Sequence, residues 1–212
     1  MPSIETLVAF FGVSVMLGLS PGPDNLFVLM QSAQRGWRAG MCVVLGLCGG
    51  LVVHTTAVAL GLAAVFAASA LAFTLLKFVG AAYLAWLAWG ALRAPVGSGG
   101  AAAPAAGGTG YSAWRMVGRG VVMNLTNPKV LVFFLAFLPQ FADPARGGVA
   151  AQIMVLGCVF MLATLLVFGA IACFSGAFGT LLQRSARAQW VLNRAAGLVF
   201  LGLAVRLATV QR

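Results

Sequence analysis

Residues 20–25 read SPGPDN, set between LVAFFGVSVMLGL (Leu7 to Leu19) and LFVLM (Leu26 to Met30). Without that insert the stretch from 4 to 33 reads as one long apolar helix. Pro23 has no N–H and disfavours helix in the residue before it, so the backbone around 20–24 cannot keep a regular bonding ladder. Pro21 adds a second interruption, and Gly22 opens backbone angles that other residues avoid. Broken backbone at membrane depth is tolerated only when it is buried in protein or lines a wet cavity. Asp24 and Asn25 stand on the break, and an intramembrane charge costs at least ~2.5 kcal/mol. The chain has only three acidic residues in 212, so an acid in this position calls for a reason.

The composition supports reading these runs as membrane spans. Hydrophobic residues make up 62% of the chain and charged residues 8%, with a mean hydropathy of +1.03. A soluble domain carries about 25% charged residues, so this chain could not cover a globule with solvated surface. An all-α integral membrane protein of one transmembrane domain is expected. The net charge of +10 is spread from Arg35 to Arg212 without a dense basic run. That pattern argues against nucleic acid as a partner and for topogenic arginines facing anionic lipid. Cys42, Cys48, Cys158 and Cys173 lie in apolar runs without CxxC spacing, as expected of small hydrophobes in helix packing. The start, MPSIETLVAFF, lacks the basic region of a signal peptide and reads as the beginning of the first span.

A bilayer core of roughly 30 Å takes about 20 apolar helical residues. Six stretches qualify: 4–33, 40–67, 71–92, 114–141, 148–182 and 189–210. The last holds only eleven uncharged residues between Arg194 and Arg206, so it spans if those arginines snorkel. The fifth exceeds a span and should tilt, kink or emerge. Between the third and fourth lies APVGSGGAAAPAAGGTGYSA, 94–113, the composition of a flexible linker. It divides the domain into a first repeat, 1–93, and a second, 114–212. Three spans per half means the halves enter the membrane from opposite sides, as two inverted three-helix repeats. Eight arginines fall in the connections 1–2, 3–4 and 5–6, against at most four basic residues on the other side. Those three connections are therefore expected in the cytoplasm, with both termini outside.

The second half repeats the interruption. NLTNPK, 124–129, supplies Asn124, Asn127, Pro128 and Lys129, and Pro139 follows in VLVFFLAFLPQF. Helices one and four are thus both interrupted at Pro or Gly, and a matched pair of this kind is the best sequence pointer to a transporter's binding site. Asp24 offers a carboxylate, Lys129 an ammonium, and Asn25, Asn124 and Asn127 both donate and accept. Broken helix ends add partial charges of either sign. The set suits a small zwitterion such as an amino acid. The competing reading makes the prolines ordinary kinks, Asp24 a helix cap or partner of an arginine, and Lys129 a snorkelling side chain. His54, the single histidine, is the candidate proton relay; the alternative is a structural histidine satisfied by its surroundings. Gly46 and Gly50 form a GxxxG, a signal for close helix packing. No catalytic triad, metal-ligand cluster or phosphate loop is present, so neither an enzyme nor a cofactor is expected.

PGPDNLFVLMQSAQRGWRAGMCVVLGLCGG (21–50) closely resembles the N-terminal signature of the lysine-exporter (LysE/RhtB) family of amino-acid exporters. The stretches 59–93 and GRGVVMNLTNPKVLVFFLAFLPQFADPARG (118–147), and the closing WVLNRAAGLVFLGLAVRLA, look like that family's continuation. The resemblance implies a small multi-pass exporter of the cell inner membrane that moves amino acids or close relatives outward, with the proton as coupling ion. A passive channel and a non-transporting scaffold are the rivals. The sequence leaves the oligomeric state open, a homodimer included.

Overall fold

The computed structural model describes residues 1–20, 22–68, 112–175 and 186–209, with scattered positions between 78 and 93. Every described element is helical. Helix α1, Ile4–Leu19, opens on Ser3, whose hydroxyl accepts from the Thr6 N–H at 3.2 Å. It closes at Ser20, and α2, Pro23–Arg35, begins with Pro23 in its first turn, where a missing N–H costs nothing. The axes of α1 and α2 differ by 64°. Gly36, at φ 85°, makes the tight turn into α3, Trp37–Ala68.

The second half bends in the same manner. Helix α4, Ala113–Thr126, gives way at Asn127 to α5, Pro128–Val132, which continues through a π-helical turn, Phe133–Phe137, and a 3₁₀ turn, Leu138–Phe141. The bend at Asn127 is 55°. The helix widens immediately before Pro139, which has no N–H to offer a preceding carbonyl, and Gln140 donates its side-chain amide to the Ala136 carbonyl at 2.8 Å. After a loop, α6 runs Val149–Cys173 and α7 runs Ala186–Thr209.

Two described helices, α3 and α6, are long and apolar enough to cross a membrane, and the bent pairs α1–α2 and α4–α5 bring the number to four if each is one span. Helix α7 is 24 residues long but carries Arg187, Arg194 and Arg206 and is not among them. Most of the expected third span, nearly all of the linker (94–111) and residues 176–182 of the expected fifth span lie outside the described residues. The described residues are those of an all-helical, multi-pass membrane protein. Leu60, Val52, Leu162, Leu166 and Leu198 face outward, as a lipid-facing surface requires.

Helix α3 lies at the centre, packed chiefly on α4 and α6. Its approach to α4 runs through the GxxxG: a Cβ on Gly120 would sit 2.9 Å from the Gly46 Cα, and one on Gly50 2.7 Å from the Asn124 Cβ. On the other side, a Cβ on Gly157 of α6 would lie 2.9 Å from that of Thr55. Small residues let these backbones close up where no water-driven force presses them together. Around α5 the core is aromatic, with Phe10 against Phe141 (5.0 Å between ring centroids) and Phe133 against Phe160 (5.3 Å).

Candidate functional site

The two breaks meet. A helix ends with carbonyls that no later N–H can satisfy, and at α1 these are capped by side chains from beyond the break. Asn25 Nδ2 donates to the Gly18 carbonyl at 2.6 Å. Lys129 Nζ, from the other half of the chain, donates to the carbonyls of Leu17 at 3.0 Å and Ser20 at 3.1 Å. A cation at a helix C-terminus is where the helix dipole favours it. Lys129 is buried (8% exposed) and does not snorkel.

The exchange runs the other way as well. Asp24, 4% exposed, accepts at Oδ2 from Asn127 Nδ2 at 2.8 Å. Asn127 itself caps α5, its Oδ1 accepting from the Lys129 backbone N–H at 3.0 Å. Asp24 and Lys129 thus hold equivalent positions, each following the proline that opens its half-helix. Each bonds to the opposite half at its break, and they make no ion pair with one another; the ion pair among the described residues is Asp143–Arg146. Asp24 pairs with an amide, not with an arginine. Gly22 also differs from expectation. Its φ of −168° is extended backbone open to any residue, and what the glycine provides is room, since a Cβ there would lie 3.3 Å from Lys129 Nζ.

Asn124 is buried at the end of α4, with its side chain against Gly50. Its carbonyl accepts from the Asn127 N–H at 3.1 Å and lies 3.4 Å from His54 Nε2. His54 is buried, its ring stacked at a tilt on Phe134 with 5.6 Å between centroids. The structure thus brings Gly22, Asp24, Asn25, Asn124, Asn127, Lys129 and His54 to one place. Pro23 and Pro128 open the half-helices around it, while Pro21 lies outside the described residues.

Asp24, Asn124 and Lys129 open onto a cavity of about 20 Å³, room for a single water. Its remaining wall is Leu17, Gly18, Leu47, Val130, Phe160, Thr164 and Phe168. The wall on α6 was not singled out from the sequence, although Phe160, Thr164 and Phe168 recur at the spacing that places residues on one helix face. That signal is indistinguishable from ordinary core in a helix apolar all round.

A multi-pass membrane protein with a small, charged cavity at the meeting of two broken helices has the build of a transporter. Residues 15–211 match the family described as LysE type translocator. The chain belongs to that family and is a transporter, not an enzyme. It is 33% identical to the homoserine/homoserine lactone efflux protein of Salmonella typhimurium, over 99% of this chain and 98% of that one. It is 31% identical to the leucine efflux protein of Enterobacter sp. (strain 638), over 96% and 92%. A Vibrio cholerae protein named as an uncharacterized membrane protein is 33% identical over 98% of both. No solved structure matches the chain.

Proposed function

We propose that this protein is a secondary-active exporter of small amino acids or their close derivatives across the cytoplasmic (inner) membrane, driven by proton antiport. The observation that carries the reading is the cavity shared by Asp24 and Lys129, a buried carboxylate and a buried ammonium that do not pair. A small zwitterion offers the complement of both, and Asn124 at the same cavity can donate or accept. The names of the relatives point the same way, toward homoserine, its lactone and leucine. A cavity with room for only a single water, walled by Leu17, Leu47, Phe160 and Phe168, favours a carrier that must change shape over a passive channel.

The architecture of this reading is six spans in two inverted halves. Three features support it. Both halves bend at a proline-opened half-helix. The Met1 amino group donates to the Arg146 carbonyl at 2.7 Å, which puts the start of α1 and the loop before α6 at one end of the molecule. At the connections assigned to the cytoplasm, arginines lie over tryptophans, Arg38 on Trp37 (5.6 Å), Arg93 on Trp89 (3.8 Å) and Arg194 on Trp190 (5.4 Å). Amphipathic rings beside cations suit a headgroup-level belt. Asp24 is the first candidate for the coupling proton and His54, linked to it through Asn124 and Asn127, the second.

The test is uptake of labelled L-homoserine and L-leucine into proteoliposomes of the purified chain, with and without an imposed pH gradient. Saturable uptake that responds to the gradient is expected, and Asp24→Asn should abolish the gradient response. Flux that does not saturate, or that ignores the gradient, would sink proton-coupled export in favour of a channel or a passive carrier.

A further inference from the structure

Among the described residues, the side-chain atoms buried without a hydrogen-bond partner are all oxygens. Three of them, Asp24 Oδ1, Asn25 Oδ1 and Asn124 Oδ1, belong to the two breaks. Asp24 and Asn124 are 4% and 2% exposed, and both line the cavity. No buried nitrogen stands without a partner among the same residues. The ammonium of Lys129 gives two of its three N–H groups to the Leu17 and Ser20 carbonyls. The amide of Asn25 is committed to Gly18 and that of Asn127 to Asp24. The fully buried groups left without a partner at the cavity are therefore acceptors, Asp24 Oδ1 and Asn124 Oδ1, beside the third Lys129 N–H and the Asn124 amide nitrogen, which can still donate. A carboxylate, which only accepts, would leave these two oxygens unsatisfied; a primary ammonium, with three donors and no acceptor, would satisfy them.

We infer that the site selects its substrate by the primary ammonium group, received by Asp24 Oδ1 and the Asn124 amide oxygen, and that the substrate's carboxylate is dispensable. The class of ligand it takes is a small primary ammonium with an apolar or neutral substituent, which includes amino-acid amides, esters and lactones as well as free amino acids. The apolar wall formed by Leu47, Phe160 and Phe168 receives the substituent. A deaminated acid of the same shape brings the wrong group to the acceptors and is refused. This inference rests on the export reading for the direction and energy of transport, and stands apart from it in what is recognised.

The experiment sets three ligands of one shape against the purified full-length chain: L-leucine, L-leucinamide, which keeps the ammonium and lacks the carboxylate, and α-hydroxyisocaproate, which keeps the carboxylate and lacks the ammonium. Each is measured as a competitor of labelled L-leucine in proteoliposome counterflow, and as a ligand that raises the melting temperature in detergent. L-leucinamide should compete as well as L-leucine, whereas the hydroxy acid should be weaker by about tenfold or more, the loss expected for a hydrogen bond to a charged group. Asp24→Asn, checked for monodispersity by size exclusion, should weaken both ammonium ligands and leave the hydroxy acid unchanged. The panel on the unmodified chain decides the matter even if that variant fails to fold. Competition by the hydroxy acid equal to that of L-leucine overturns ammonium selection while leaving export standing. Stabilisation by L-leucinamide without any counterflow overturns export of leucine while leaving ammonium selection standing. No stabilisation and no counterflow with any of the three overturns both.

Discussion

Lys129 is the residue whose removal reports most directly on how the two breaks hold together. In Lys129→Met the side chain keeps most of its length and loses its three donors. The carbonyls of Leu17 and Ser20 then lie buried without partners at the end of α1. Each orphaned buried acceptor costs about 1–3 kcal/mol. Asp24, left as a carboxylate with only Asn127 to bond it, adds the penalty of an uncompensated buried charge. Against this stands the relief of no longer burying an ammonium, and which effect wins depends on whether the opposite charge stays behind. Removing one member of a buried pair is destabilising by about 3–5 kcal/mol, whereas replacing both members is often neutral. Asp24 and Lys129 are not in contact as an ion pair, so a value at or below the lower end, about 3 kcal/mol, is the reasoned figure for either single variant.

The double variant Asp24→Asn, Lys129→Met should therefore recover part of the loss. For a chain of this size about 1 kcal/mol corresponds to some 2–4 °C in melting temperature. Each single change should lower the midpoint in detergent by about 6–12 °C, and the double change by clearly less than the two together. Additivity within about 0.5 kcal/mol is the behaviour of independent sites. If the midpoints add to that tolerance, or if Lys129→Met melts with the parent, the breaks do not stabilise one another. The reciprocal capping drawn from the geometry would then be wrong.

Three further outcomes are expected. Gly50→Ala puts a methyl 2.6 Å from Asn124 Oδ1, so it should destabilise by about 1–3 kcal/mol and lower transport through displaced Asn124; an unchanged melting point together with unchanged transport would show that α3 and α4 do not need this approach. Gln152 closes the loop before α6, accepting from the Asp143 N–H at 3.0 Å and donating to the Asp143 and Gly147 carbonyls at 2.8 and 3.1 Å; Gln152→Ala should speed amide exchange across 142–148, and unaltered protection would assign the loop's order to something else. A single cysteine at Ser98, introduced after replacing the four native cysteines, should be labelled only by reagents that enter the cytoplasm, and labelling of intact cells by an impermeant reagent would reverse the proposed orientation.

Much of this was legible in the sequence, for a physical reason that differs from part to part. The breaks at SPGPDN and LTNPK announce themselves because proline removes a donor wherever it stands, whatever the tertiary context. The GxxxG at Gly46 and Gly50 marked a close approach, although not its partner. What the sequence did not reveal is pairing at a distance. Nothing local says that Lys129 caps α1, because the carbonyls it serves, Leu17 and Ser20, are backbone and carry no residue-specific signature. The role of Gly22 was misjudged for the same reason. Its conformation is ordinary and its value lies in the space it leaves for an ammonium from the other half. The α6 wall was hidden by composition, since in a helix where nearly every residue is apolar a functional face has no contrast.

The reciprocity of the contacts bears on how such a molecule could move. Each half gives the charged residue that follows its break proline to the other half's break: Lys129 reaches the carbonyl end of α1, and Asp24 is held by the residue that caps α5. Neither break can therefore straighten or tilt alone without exposing an unpaired group of its neighbour, at about 1–3 kcal/mol per group. A ligand that supplied donors to Asp24 would loosen its dependence on Asn127, and through Asn127 the cap on the Lys129 backbone N–H. Binding at the cavity and the angle between the half-helices are in this way linked by a short chain of named hydrogen bonds. In an exporter that linkage would have a definite use, since a substrate could shift the balance between two shapes only through contacts that differ between them. The bonds that change partners when a donor arrives are those at Asp24, Asn127 and Lys129. The coupling between substrate and conformation should therefore be lost when any one of the three is replaced, even where binding survives.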